Sequence, residues 1–242
     1  MKECIRYYPN TIQEKMPKNW LKLRSEILAK YAEALPTKQD RIQITFEYPD
    51  AGWMPVHFHK NGMDMGFIEF SDVYDCFEPL REWLETIATI GYEKAAILNL
   101  DCERWHAVLY YEPIWFYDYE NHKGSIYPTN CGIFSVYDEA EDIFLLDAYC
   151  DTETFVRDVY KCIIDFAKAM KEKPEFIEDW VSFNWRHDTG IPDDDDPRMN
   201  EFFMNKVKSP SIQKFIRDCD SWHKNRNYFK RKERKACKAK QK

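Results

Sequence analysis

The chain has 242 residues, of which 44% are hydrophobic, 16% aromatic and 32% charged, with 7 glycines. That composition supplies a packed core and excludes collagen-like, elastic and low-complexity classes. Its formal charge of −7 is unevenly held: from His223 to Lys242 ten Lys or Arg accompany Glu233 alone (net +9), whereas the other 222 residues carry 25 Lys+Arg against 41 Asp+Glu (net −16).

The first ten residues, MKECIRYYPN, contain no apolar signal core, and no uncharged apolar run approaches the ~20 residues of a membrane span. The 8 cysteines show no C-x-x-C spacing, so they read as reduced thiols of a cytoplasmic protein rather than a disulfide framework or a zinc knuckle.

Residues 18–34 place Trp20, Leu23, Ile27, Leu28 and Tyr31 at helical spacing, and Pro36 ends the run. Ile42, Ile44, Phe46 and Tyr48 alternate as on a half-buried strand. Segments 54–60 and 64–70 flank Asn61-Gly62, which predicts a hairpin. In the next segment Asp75 and Glu78 have capping-box spacing. Pro79 falls in the first turn, and Leu80, Trp83, Leu84, Ile87 and Ala88 share one face of a helix ending near Gly91.

Hairpins follow at 93–100 with 104–114, and at 131–137 with 141–148. Asp151 or Thr152 caps a long helix with Phe155, Val159, Cys162, Ile163 and Phe166 on its buried side. The order hairpin, Asp-x-Tyr, helix occurs twice, at Asp72/Tyr74 and Asp147/Tyr149, a faint internal echo. Beyond Pro174 come an aromatic helical stretch, a loop broken by Gly190, Pro192 and Pro197, and two helical segments separated by Ser209-Pro210.

These elements predict an α+β fold, with antiparallel hairpins forming a sheet packed by amphipathic helices and a helical C-terminal extension. The organisation expected is a core domain over 1–172, a helical segment over 173–222 packed on it, and a basic tail over 223–242.

Three patches carry candidate chemistry. His57 and His59 project to one side of a strand, and Asp64 across the turn offers an oxygen, which is the makings of a metal site for an enzyme. The H-x-H pair resembles the first histidine motif of cupin barrels, but Met63 and Asp64 stand where that family has a Glu, and no second motif follows. The competing assignment is a solvated strand face.

Trp115, Tyr117, Asp118, Tyr119 and Glu120 lie in an aromatic and acidic run read as an exposed loop, the chemistry of a protein-binding hot spot. A loop folded back on the core is the plainer alternative. Lys224, Arg226, Tyr228, Lys230, Arg231, Lys232, Arg234 and Lys235 form a cationic tail with two stacking aromatics nearby. It is suited to nucleic acid, or else is only a solvated basic helix.

Asp193–Asp196 lack the alternate spacing of a calcium loop and read as a solvated acidic loop. No nucleophile elbow, Walker A, dinucleotide or zinc-protease motif occurs.

The expectation is a non-enzymatic, cytoplasmic, cofactor-free protein whose acidic body docks a basic protein partner. Its charge logic resembles that of bacterial toxin-immunity proteins. Nucleic-acid binding by the tail and a metal enzyme at His57 and His59 are the alternatives.

Overall fold

The computed structural model describes residues 3–5, 22–26, 29, 31, 36, 38–73, 76–90, 95–101, 106–118, 125–176, 180 and 199–240. Antiparallel strands and amphipathic helices share one core, as the α+β expectation requires.

Strands β2 (Ile42–Phe46), β3 (Trp53–Lys60) and β4 (Met63–Ser71) form one antiparallel sheet in that order. Asn61 (φ 55°) and Gly62 (φ 84°) make the two-residue turn between β3 and β4, so the Asn-Gly signal identifies it correctly. A larger antiparallel sheet holds β1 (Glu3–Ile5), β5 (Ala96–Asp101), β6 (His106–Asp118), β7 (Ser125–Asp138) and β8 (Ile143–Asp151). β5 and β1 share one edge of β6, pairing with residues 106–111 and 115–117 in turn, while β7 and then β8 extend the other edge.

Two of the hairpins each feed a helix: β3–β4 leads into α1 (Phe77–Ile90), and β7–β8 into α2 (Thr152–Met170). Asp151 caps α2 in extended conformation (φ −72°, ψ 126°) and accepts from the Thr154 N–H at 2.8 Å. The helices start the same distance past Asp72 and Asp147, but the two aspartates differ in setting. Asp147 sits inside β8, whereas Asp72 lies in the turn after β4.

Phe58, Phe77, Trp83, Phe134 and Phe155 fuse both sheets and both helices into a single cluster. Phe176, Trp180, Met199, Phe203, Met204, Val207 and Ile212 belong to that cluster too, so the C-terminal helices build the same core. Helix α3 (Met199–Val207) precedes α4 (Pro210–Lys240), a single helix containing most of the basic tail. Ser209 joins them: its N–H donates to the Tyr160 hydroxyl at 2.8 Å, and its Oγ accepts from the Ile212 N–H at 3.0 Å.

One expectation needs revision. Trp115–Asp118 were read as loop, yet they continue β6, and Ser125–Pro128 continue β7 opposite them. The expected strand ends at 114, because the acids and glycine of 115–127 suggest an exposed loop, and Pro113 just before it lacks a donor. The register shift between Pro113 and Trp115 absorbs that defect, and the ladder resumes.

Candidate functional site

The outer face of the large sheet, away from α1 and α2, carries a polar constellation that sequence reasoning missed. Glu112, Ser135 and Asp147 come from adjacent strands β6, β7 and β8, and period-2 alternation puts all three on that face. Helical residues 22–26 lie over them. Arg24, only 1% exposed, reaches Ser135 Oγ at 2.6 Å, Asp147 Oδ1 at 3.0 Å and Glu112 Oε2 at 3.1 Å. Its guanidinium lies 4.6 Å from the Tyr110 ring centroid, and the Ser135 hydroxyl donates to Asp147 at 2.6 Å.

Burial by itself lowers the affinity of Arg24 for its proton. The Glu112 and Asp147 carboxylates outweigh it and hold the group above its ordinary value. Burial, reinforced by a hydrogen bond to Asp147, pushes the Tyr31 hydroxyl well up. Lys60 extends the network, donating to the Asp147 carbonyl at 2.9 Å and meeting Asp40 at 3.2 Å, so it links the two sheets. Arg24 reads from sequence as one more polar position on a helix, and its partners are 88 to 123 residues away. The guanidinium is paired through both terminal nitrogens while its buried Nε makes no hydrogen bond, and this arrangement of a buried cation between two carboxylates suits a clasp for the N-terminal helical segment.

His57, His59 and Asp64 do share the exposed face of the small sheet. His57 Nδ1 lies 3.0 Å from Asp64 Oδ2, and its Nε2 lies 3.2 Å from Glu47 Oε1. His59 Nε2 instead contacts Thr45 Oγ1 at 2.9 Å, and the two imidazoles stack nearly parallel with centroids 6.3 Å apart. Among the described residues no group of three or more His, Cys, Asp or Glu is arranged to hold a metal ion. Asp64 is held below the usual carboxylate range by the Gly66 N–H and by His57.

Of the aromatic run, Trp115, Tyr117 and Asp118 have strand backbone: Trp115 pairs with Ile5 and Pro128, Tyr117 with Glu3 and Ile126, and Asp118 with Ser125. Tyr119 and Glu120 lie outside the described residues, as do Asp193–Asp196.

The basic tail continues α4. Ile212 is fully buried, and Phe215 and Ile216 pack partly against the core. Farther along, Arg157 on α2 bridges Glu153 at 2.9 Å and Asp220 at 2.8 Å, and His223 meets Glu153 at 2.7 Å. Every residue from Asp220 to Arg226 is exposed, roughly two turns, so no face of the helix is covered there. Arg226 stacks on Trp222 with its guanidinium 5.1 Å from the ring, and Trp222 is 55% exposed. Lys224 and Arg226 are exposed; Tyr228, Lys230, Arg231, Lys232, Arg234 and Lys235 follow on continuous helical backbone to Lys240.

Two further features need no motif. The β7–β8 turn exposes Glu141 and Asp142 and partly exposes Asp138 and Glu139. Tyr48, Asp72, Glu175, Phe176 and Trp180 line an open cleft of about 230 Å³. No described helix is long and apolar enough to cross a membrane. No protein-family model, curated protein or solved structure matches the chain.

Proposed function

We propose that this is a non-enzymatic macromolecule-binding protein that engages nucleic acid through the basic half of α4. The observation that carries the reading is the solvent on every side of α4 from Asp220 to Arg226, directly before the cationic block. From Asp220 to Arg226 the helix meets the body through surface pairs, Asp220 with Arg157 and His223 with Glu153, rather than through a buried face, and it leads into a block of like charge that a polyanion would suit.

The acidic body repels the same polyanion, and distance decides which effect wins. At 1.5 Å per residue, Lys240 stands about 25 Å along the helix from His223, the last described contact with α2. That exceeds two Debye lengths at physiological salt, about 8 Å each. The tip of the helix is therefore screened from the body. Lysine, arginine and alanine are good helix formers, and cations near a helix C-terminus suit its dipole. Trp222 with Arg226 offers a surface on which a base can stack.

Fluorescence anisotropy with labelled single-stranded and duplex oligonucleotides tests the reading. If half of the ten tail cations engage duplex phosphates, log affinity falls with log salt at a slope of about −4 to −5. Truncation after Trp222 abolishes binding. Equal affinity of the truncated chain, or no binding at low salt, refutes the proposal.

A second reading, an acidic body that docks a basic protein, is favoured by the exposed acids of the β7–β8 turn. The Asp138 side chain accepts from the Ala140 N–H at 2.8 Å and fixes that turn before any encounter. Its test is capture of a basic partner that weakens in salt and in Trp115→Ala, with thermal unfolding unchanged. A large stability loss in that variant places Trp115 in the fold instead.

A further inference from the structure

The cleft beside the β2–β3 turn is a place where chemistry converges without any sequence motif. Its lining brings together three aromatic rings (Tyr48, Phe176 and Trp180) and two carboxylates (Asp72 and Glu175). Phe176 and Trp180 are nearly buried, and their rings stack 11° from parallel at 6.4 Å. Tyr48 is 44% exposed.

The turn is shaped to admit Asp72. Ala51 and Gly52 both have positive φ (49° and 84°), and a Cβ at position 52 would stand 3.0 Å from both Asp72 carboxylate oxygens. Glycine there lets the carboxylate stand against the turn backbone. The Gly52 carbonyl also accepts from the Asp72 N–H at 2.9 Å, which fixes the aspartate in place.

We infer that this cleft binds an arginine side chain presented by a basic protein partner. The inference deepens the acidic-body reading and is independent of α4. At about 230 Å³ the space lies below the ~300–1,000 Å³ of pockets that hold whole cofactors, so a single side chain is the fitting occupant. Tyr48, the exposed ring of the three, attracts a cation to its face, and carboxylates at the same site add charge of the right sign. Tyr48 already draws a cation of its own chain, since Lys173 Nζ stands 4.5 Å from the ring centroid. Guanidinium is preferred to ammonium because it is planar, stacks on rings, and its forked donors can serve two carboxylates together.

The test uses the full-length protein labelled with ¹⁵N and titrated with N-acetyl-arginine amide. The neutral isostere N-acetyl-citrulline amide and N-acetyl-lysine amide serve as comparisons. The expected result is saturable shifts of the Gly52 amide and the Trp180 indole N–H, with a dissociation constant on the order of millimolar. Glu175 is exposed, so Glu175→Gln leaves the fold intact and weakens binding about two- to fivefold. Tyr48→Ala weakens it by a similar factor.

The inference is overturned by the absence of saturable shifts, by citrulline or lysine binding as well as arginine, or by Glu175→Gln leaving the curve unchanged. Loss of basic-partner capture with an intact arginine titration would instead count against the acidic-body reading alone.

Discussion

Arg24→Met is the sharpest probe of what holds the N-terminal helical segment to the large sheet. The substitution keeps much of the side-chain volume but removes the cation facing Glu112 (3.1 Å), Asp147 (3.0 Å) and Ser135 (2.6 Å). Arg24 and Glu112 are each 1% exposed, so water cannot replace the lost partner without opening the segment. Removing one member of a buried ion group costs about 3–5 kcal/mol, a large share of the roughly 5–15 kcal/mol that holds a domain together. At about 2–4 °C per kcal/mol for a chain of this size, the melting temperature falls by roughly 6–20 °C.

Urea titration followed by tryptophan fluorescence, with calorimetry for the melting point, reads both numbers. The Arg24→Met/Glu112→Met double variant removes the orphaned carboxylate as well and recovers part of the loss. That gives a coupling of about 1–3 kcal/mol. The deficit of the single variant also narrows as pH falls. A buried carboxyl without its cation binds a proton more readily folded than unfolded, so folding takes up protons and stability rises toward acid. A loss below about 1 kcal/mol, or strictly additive single and double variants, refutes the clasp.

Two other perturbations address the anchoring of α4. Tyr160→Phe deletes the acceptor of the Ser209 N–H, a residue with no exposure, and costs about 1–3 kcal/mol. Hydrogen exchange at the start of α4 quickens with it, and unchanged exchange there contradicts the assignment. Burial raises the Glu153 carboxyl, but hydrogen bonds from Arg157 and His223 outweigh it and leave the group below its ordinary value. The contribution of Glu153 is therefore present above the unfolded carboxylate range near pH ~4.3 and is lost as pH falls through the lower folded value. Wild type should lose stability over that acid window, and Glu153→Gln should lose less. Parallel pH profiles would show that Glu153 does not help hold α4.

The patterns that survived translation into structure were local. Alternation at Ile42, Ile44 and Phe46 gave β2, Asn61-Gly62 gave a turn with positive φ, and Asp151 gave the cap of α2. Each depends on residues within a few positions of one another, where backbone sterics and side-chain period dominate. The aromatic run failed where local rules conflict. The acids and glycine of 115–127 argue for a loop, yet pairing with β7 on one side and β1 on the other carries β6 past Pro113 and through to Asp118. A register shift that rescues a ladder is set by partner strands, not by the residues that need it.

The candidate sites divide in the same way. Charge segregation and the basic block are properties of the chain itself, so the sequence alone determined that a cationic arm and an acidic body exist. That α4 becomes exposed from Asp220 to Arg226, where it meets the first turns of α2 through Arg157 and Glu153, is decided by packing alone. The Arg24 clasp joins residues 88 to 123 positions apart, and the Tyr48–Trp180 cleft joins three separate segments. No periodicity reports such meetings. They exist because hydrophobic burial brings distant strands and helices together, and the polar groups carried along must then find partners or face solvent.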